Sequence, residues 1–205
     1  MHLRIFSRMK INQLLIKAIL FLFLLNSTTT AFELTSHTIG KENSAINIEI
    51  FSSFTCPHCA KLHLNILPDL IKNYTNTGKA KITLKDFPLD LAALNASKIE
   101  KCILDKNKLK FHDTIYLKQS EWASGSNIEE INQKLKKISL DLGMSDEIFN
   151  SCLNNQKNEE FVLKTRIDAQ KKYNISATPT IVINNKKYNG DYTFSAISKY
   201  IEKIN

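Results

Sequence analysis

The chain has 205 residues, of which 43% are hydrophobic, and this length is sufficient for one domain with a sizeable core. The formal net charge is +8, but four basic residues precede the first acidic residue, Glu33: Arg4, Arg8, Lys10 and Lys17. Without that segment the charge is 24 minus 20, or +4, so the charge does not indicate a nucleic-acid-binding domain.

The first 31 residues have the pattern of an export signal. A basic segment leads into the apolar run 18–25, and Thr29 and Ala31 suit cleavage before Phe32. An uncleaved membrane anchor is the alternative, but the apolar run is short for a membrane span. We therefore predict a cleaved signal peptide over residues 1–31 and export to an oxidising compartment, in which disulfides can form.

The next elements predict a strand–helix–strand unit. Residues 32–44 are polar and predict an arm, whereas 45–51 are almost continuously apolar or β-branched and predict a buried strand. A helical pattern follows over residues 56–74, which Pro68 should kink or break. Residues 80–87 alternate with a period of two and predict a second strand, joined to the first by a right-handed crossover.

Beyond residue 90 the pattern is first helical and then returns to strands. Ser126-Asn127 and Ser145 fit helix N-caps. Predicted helices cover residues 91–104, 108–119, 128–142, 146–154 and 159–173. A strand over 180–184, a short return strand over 186–189 and a last helix over 193–204 complete the chain. The sequence thus predicts one α/β domain with a helical block inside it.

A C-x-x-C motif lies where the first strand turns into the first helix. With Cys56 at the helix start, unpaired N–H groups and the helix dipole favour a thiolate on its sulfur. Cys59 follows about one turn later and can reach back to close a small disulfide. His58 can add positive charge beside Cys56, and Pro57 has no N–H to lose in a first turn. This arrangement is typical of thiol–disulfide exchange.

This motif, the helical block and the Thr178-Pro179 pair before a hairpin together resemble the DsbA family of exported, thioredoxin-like thiol oxidases. The likeness extends over nearly all of the mature chain. It implies an α/β, thioredoxin-like fold with an inserted helical domain. On that basis we expect a thioredoxin-like domain over residues 32–90 and 174–205, and a helical insertion over 91–173.

The resemblance also implies the roles of the motif residues. Cys56 matches the exposed nucleophile that forms mixed disulfides with client proteins, and Cys59 matches the buried resolving thiol. His58 matches the residue that stabilises the reduced, thiolate form and so makes the disulfide a strong oxidant.

Client binding is expected at Pro57, Thr178 and Pro179. Pro179 matches a cis-proline that faces the active site, with a trans loop proline as the alternative, and Thr178 would offer backbone groups to an extended client. The family needs no cofactor or metal. We expect a periplasmic monomer that oxidises reduced, extended client proteins and is reoxidised by a membrane protein of the DsbB type.

The remaining cysteines, Cys102 and Cys152, both fall in predicted helices of the block. Some DsbA-like proteins of alphaproteobacteria have a second disulfide there, so the resemblance implies a bond between these two residues. Two buried free thiols are the alternative. A zinc site of four cysteines is disfavoured, because the chain has only one C-x-x-C motif.

One position departs from the family pattern. Relatives place a buried acidic residue six positions before the first cysteine, where this chain has Ile50, preceded by Glu49. Because side chains alternate along a strand, Glu49 should face away from the place of the family carboxylate unless a bulge shifts the register.

Two classes of function remain. The first is an oxidoreductase that donates its disulfide to folding proteins, with isomerase or reductase activity as alternatives within the class. Isomerases of this type usually have a separate dimerisation domain, for which residues 32–44 leave no room. The second class is a non-redox binding module or holding chaperone, which the two intact motif cysteines disfavour.

Overall fold

The structure is a computed structural model and describes residues 34–204, so the predicted signal peptide lies outside the described residues. Five strands form one mixed sheet in the order β1-β3-β2-β4-β5, in which only β2 and β3 are parallel neighbours. The strands are β1 (His37–Ile39), β2 (Ile46–Ser52), β3 (Ala80–Asp86), β4 (Thr180–Ile183) and β5 (Lys186–Lys187).

The helices of the first and last parts of the described chain flank the strands. They are α1 (Pro57–Asn65), α2 (Leu67–Leu70), a π-helical turn (Ile71–Thr75) and α9 (Phe194–Ile204). Between β3 and β4 lie α3 (Leu91–Glu100), α4 (Asp105–Leu117), α5 (Gln119–Trp122), α6 (Ile128–Asp141), α7 (Asp146–Leu153) and α8 (Gln156–Tyr173). No helix within residues 34–204 is long and apolar enough to cross a membrane.

Residues 37–39 correct the prediction of a polar arm, because they form the edge strand β1 and pair antiparallel with β3. Three residues are too few for a strand periodicity to be visible in the sequence. Gly40 ends the strand with a φ of +105°, and a Cβ there would lie 2.7 Å from the Ala80 carbonyl oxygen. Glycine suits this turn because it has no Cβ.

The first predicted helix is broken next to Pro68, as predicted: α1 ends at Asn65 and α2 begins at Leu67. Proline has no N–H to donate to the preceding turn, so it is accommodated in the first turn of a new helix. The interruption leaves α1 as a short, separate helix that carries the C-x-x-C motif at its start.

Three apolar clusters hold the described residues together. Ile46, Ile48 and Ile50 pack from one face of the sheet against α1, α2 and α9. On the opposite face, Phe51 of β2 packs beneath α8. The third cluster fills the helical block around the fully buried Trp122, and the sulfurs of the motif belong to it. The thiols thus lie where the sheet and the helical block meet.

A buried ion network links β3 to α3 and α4. The Lys101 ammonium lies 2.6 Å from Asp86 and 2.8 Å from Glu100, and Glu100 in turn lies 3.3 Å from the His112 ring nitrogen. Burial would lower the pKa of Lys101, but the two neighbouring carboxylates outweigh burial and raise it. No local sequence pattern indicates this network, because its members come from three separate parts of the chain.

Candidate active site

Cys56 is the N-cap residue of α1, and its sulfur accepts a hydrogen bond from the Cys59 backbone N–H at 3.4 Å. The same sulfur lies 3.4 Å from the Thr178 carbonyl oxygen, to which the thiol can donate. Cys56 retains 7% exposure and Cys59 none, so the expected exposed nucleophile is in fact largely covered. The contact with Thr178 from the facing loop accounts for part of that cover.

The surroundings of the two sulfurs separate their acidities. A hydrogen bond from the Cys59 thiol outweighs the opposing effect of burial and, with the Thr178 side chain and two backbone amides, lowers the pKa of Cys56 to about 5. Burial and donation to Cys56 raise the pKa of Cys59 well above its usual value. At neutral pH the reduced pair is therefore a thiolate on Cys56 beside a thiol on Cys59.

His58 and Pro57 both have exposed side chains, outside the cover of the two sulfurs. It is the backbone amide of His58 that contributes a hydrogen bond to the Cys56 sulfur and lowers its pKa. Because the His58 ring is exposed, water screens its charge and weakens the effect that the ring can have on the pKa of Cys56.

The loop before β4 faces the thiols, and its Thr178–Pro179 peptide bond is cis. Within the loop, the Thr180 hydroxyl donates to the Ala177 carbonyl oxygen at 2.7 Å. The Tyr192 hydroxyl reaches the loop from outside and donates to the Pro179 carbonyl oxygen at 3.0 Å. The structure therefore brings Cys56, Cys59 and the Thr178–Pro179 segment together.

Two contacts that the sequence analysis missed fix the motif loop. The Gln119 side-chain amide donates to the carbonyl oxygens of Phe54 at 2.7 Å and Cys56 at 3.1 Å. The Thr55 hydroxyl donates at 2.7 Å to Asp90, whose other carboxylate oxygen caps α3. An aspartate before a helical pattern could have indicated the cap, but nothing local indicates the two links to the loop.

Glu49 faces away from the thiols, as the strand alternation predicted. Its carboxylate accepts a hydrogen bond from the Tyr173 hydroxyl at 2.8 Å and lies 3.6 Å from the Lys85 ammonium. Tyr173 belongs to α8, which covers the opposite face of the sheet from Ile50 and α1. Glu49 therefore does not occupy the place of the family carboxylate.

The structure contains a disulfide between Cys102 and Cys152, whose Cα atoms are 6.3 Å apart. It connects the segment after α3 to α7. The Asn158 side-chain amide donates to the Cys102 sulfur at 3.3 Å and to the Lys98 carbonyl oxygen at 3.1 Å. The four cysteines are thus divided between two places, and among residues 34–204 no group of three or more metal-binding side chains is assembled.

The difference between the pKa values of Cys56 and Cys59 predicts that an alkylating reagent labels the reduced protein selectively. At pH 6, iodoacetamide should alkylate Cys56 first, with a rate that rises through a midpoint near its pKa of about 5. Mass mapping of the alkylated peptides measures the site and the pH dependence. A Cys56→Ser variant should remain unlabelled under these conditions. Equal labelling of both thiols, or a preference for Cys59, would contradict the assignment.

These features define a class of protein: a thioredoxin-like sheet with a thiol pair at the start of a helix and a facing proline loop. A family model described as thioredoxin matches residues 33–203, so the chain belongs to the thioredoxin family. The predicted α/β, thioredoxin-like fold with an inserted helical block is thereby confirmed.

Curated relatives share the same region of the chain. A putative protein-disulfide oxidoreductase of Rickettsia conorii is 29% identical over 80% of this chain, which spans only 58% of that relative's length. A probable disulfide bond formation protein D of Bacillus anthracis is 28% identical over 82% of this chain and 78% of its own length.

Solved structures extend the comparison to the fold. The crystal structure of alpha-DsbA1 from Wolbachia pipientis superposes with a TM-score of 0.74. The two sequences are 24% identical, and the match covers 82% of this chain and 90% of the other. This likeness shows that the two proteins share a fold.

Proposed function

We propose that the chain is an exported protein thiol:disulfide oxidoreductase that introduces disulfides into folding periplasmic proteins through its C-P-H-C motif. The observation that carries the proposal is the lowered pKa of Cys56, beside a shielded Cys59 and opposite the Thr178–Pro179 segment. A thiolate of low pKa is a good leaving group, so its disulfide readily passes to a client.

The reaction proceeds by two exchanges. A client thiolate attacks the Cys56 sulfur of the oxidised motif, and Cys59 leaves as a thiolate that takes up a proton because its pKa is raised. A second client thiolate then attacks the client sulfur of the mixed disulfide, and Cys56 leaves as a stable thiolate. The client loses two electrons and two protons in total. The motif gains the two electrons and one proton, which Cys59 takes up, and the other proton passes to solvent because Cys56 stays a thiolate.

Client recognition would use backbone groups. An extended client segment can pair with Thr178, which lies next to the Cys56 sulfur and brings the client cysteine to it. We assign Pro57 and Pro179 to the same surface. Reoxidation of the motif needs an electron acceptor, for which we propose a membrane protein of the DsbB type.

The names of the relatives support this class of activity. Those of Rickettsia and Bacillus describe protein-disulfide oxidoreductases and disulfide bond formation proteins. Export through a signal peptide over residues 1–31 belongs to the proposal, as do a monomeric state and a division at residues 90 and 173 into thioredoxin-like domain and helical insertion.

The experiment that tests the proposal is equilibration of the motif with glutathione. We expect a reduction potential more oxidising than about −180 mV, whereas a reductase would lie near −270 mV, on the order of thioredoxin's value. The reduced form should also unfold at a higher denaturant concentration than the oxidised form. A strongly reducing potential would favour the reductase alternative, and a protein with no measurable exchange would favour the non-redox binding module.

Replacing His58 by leucine should raise the pKa of Cys56 and make the motif less oxidising. Because the ring is exposed, we expect less than about one pKa unit, or about 30 mV. The pH dependence of alkylation and the glutathione equilibrium measure both effects. Lys61→Leu removes an exposed charge from the same helix and serves as control. A His58→Leu variant that is more oxidising than the wild type would contradict the role assigned to the ring.

A further inference from the structure

Tyr192 connects the segment after β5 to the loop that faces the thiols. Its hydroxyl donates to the Pro179 carbonyl oxygen at 3.0 Å. Its ring stacks on Tyr188, with centroids 6.1 Å apart, and the Tyr188 hydroxyl donates to the Asp191 carbonyl oxygen at 3.0 Å. Tyr192 is 37% exposed, and the Tyr188 ring and the hydrogen-bonded backbone of Asp191 hold it in place on one side.

The Pro179 carbonyl group, which accepts this hydrogen bond, lies between β4 and the residue that contacts the Cys56 sulfur. Pro179 immediately precedes β4, whose ladder with β2 begins at Thr180. One residue earlier, the Thr178 carbonyl oxygen contacts the Cys56 sulfur at 3.4 Å. The hydroxyl of Tyr192 therefore holds the backbone between Thr180, the first ladder residue, and the contact of Thr178 with the Cys56 sulfur.

We infer that Tyr192 is a positioning residue for client recognition, whose hydroxyl holds the Thr178–Pro179 backbone ready to pair with an extended client peptide. The inference rests on the proposed function and deepens it. A backbone that is ordered before binding loses less conformational freedom when a client pairs with it. A small thiol makes no such pairing, so its reaction with the motif does not depend on this anchor.

The test compares two reductants of the oxidised protein. A Tyr192→Phe variant removes only the hydroxyl and keeps the ring on Tyr188. Second-order rate constants are measured by acid quenching with a reduced, unstructured peptide of about ten residues with one central cysteine, and with dithiothreitol. We expect the rate with the peptide to fall roughly three- to tenfold, as the loss of one hydrogen bond predicts, and the rate with dithiothreitol to change less than about twofold.

Tyr173→Phe is the matched control. It removes a hydroxyl with a hydrogen bond of similar length, 2.8 Å to Glu49, on the face of the sheet covered by α8. Both of its rate constants should equal those of the wild type. A series of peptide concentrations also separates binding from reaction. Loss of the anchor should raise the peptide concentration at which the reaction is half-saturated and leave the limiting rate constant nearly unchanged.

The outcomes separate this inference from the function on which it rests. Unchanged rates with both reductants in Tyr192→Phe would overturn the inference, and so would an equal fall with both, since the hydroxyl would then act on the thiols or the fold. A wild-type protein that oxidises neither the peptide nor dithiothreitol would overturn the proposed function itself.

Discussion

Replacing Cys56 by serine should reduce the catalysis of insulin disulfide reduction on the order of a thousandfold or more, because a serine hydroxyl is neither ionised at neutral pH nor able to form a disulfide. Replacing Cys59 should have a different result. The Cys56 thiolate, with its pKa of about 5, can still attack, but the mixed disulfide cannot be resolved within the motif. The Cys59→Ser variant should therefore accumulate as a covalent adduct with insulin chains.

Turbidity of precipitating insulin measures the first effect, and non-reducing electrophoresis with mass analysis measures the second. The double variant Cys56→Ser/Cys59→Ser is the control, since it should neither catalyse nor form adducts. Substantial insulin reduction by Cys56→Ser, with the circular dichroism of the folded protein, would show that another group carries the exchange and would remove the role assigned to the motif.

The second large effect concerns the stability of the helical block. A disulfide between Cys102 and Cys152 closes a loop with a sequence separation of 50, for which chain entropy predicts a contribution of about 4 kcal/mol at most. Replacing both cysteines by alanine should lower the free energy of unfolding toward that extent. For a chain of this size the melting temperature should fall by at most about 8 to 16 °C.

Urea unfolding in a Cys56→Ser/Cys59→Ser background isolates this contribution, because the motif can then neither form nor lose a bond. Peptide mapping of the unreduced protein should first recover a linked Cys102–Cys152 peptide. Two free thiols in that map would contradict the bond, and an unchanged unfolding free energy would contradict its stabilising role.

Any effect of this disulfide on the motif needs a separate measurement. A bond in the helical block can shift the potential of the Cys56–Cys59 pair only if it stabilises the oxidised and reduced sites unequally. The glutathione equilibrium of the double-alanine variant provides that comparison. Equal potentials with and without the bond would limit its role to stability.

The local features of the fold could be predicted because each depends on a few consecutive residues. Asn127 and Ser145 cap their helices with the side-chain hydrogen bonds that their positions before helical patterns indicated. Asn184 and Asn185 both have positive φ, as the tight turn between β4 and β5 requires. The place of the motif at the start of α1 followed in the same way, from a strand pattern followed by a helical one.

The contacts that complete the site could not be predicted, because their partners are distant in sequence. Gln119 ends a predicted helix, but it acts on the carbonyl oxygen of Cys56, 63 residues earlier. Tyr192 lies in a short segment without a periodic pattern, and its acceptor on Pro179 becomes apparent only when the hairpin has folded back. Many side chains can donate a hydrogen bond to a backbone carbonyl oxygen, so the residue type alone does not indicate which carbonyl group accepts it.

The buried ion network limits which single substitutions the protein can accept during evolution. Lys101 holds the carboxylates of Asp86 and Glu100 at once, so loss of the lysine alone would leave two like charges in the interior without the ammonium group between them. Removal of one partner of a buried pair typically costs about 3 to 5 kcal/mol, whereas exchange of the whole set for apolar residues can be neutral. Substitutions at these positions should therefore be inherited as a group, and descendants that lack Lys101 should also have replaced the two acids.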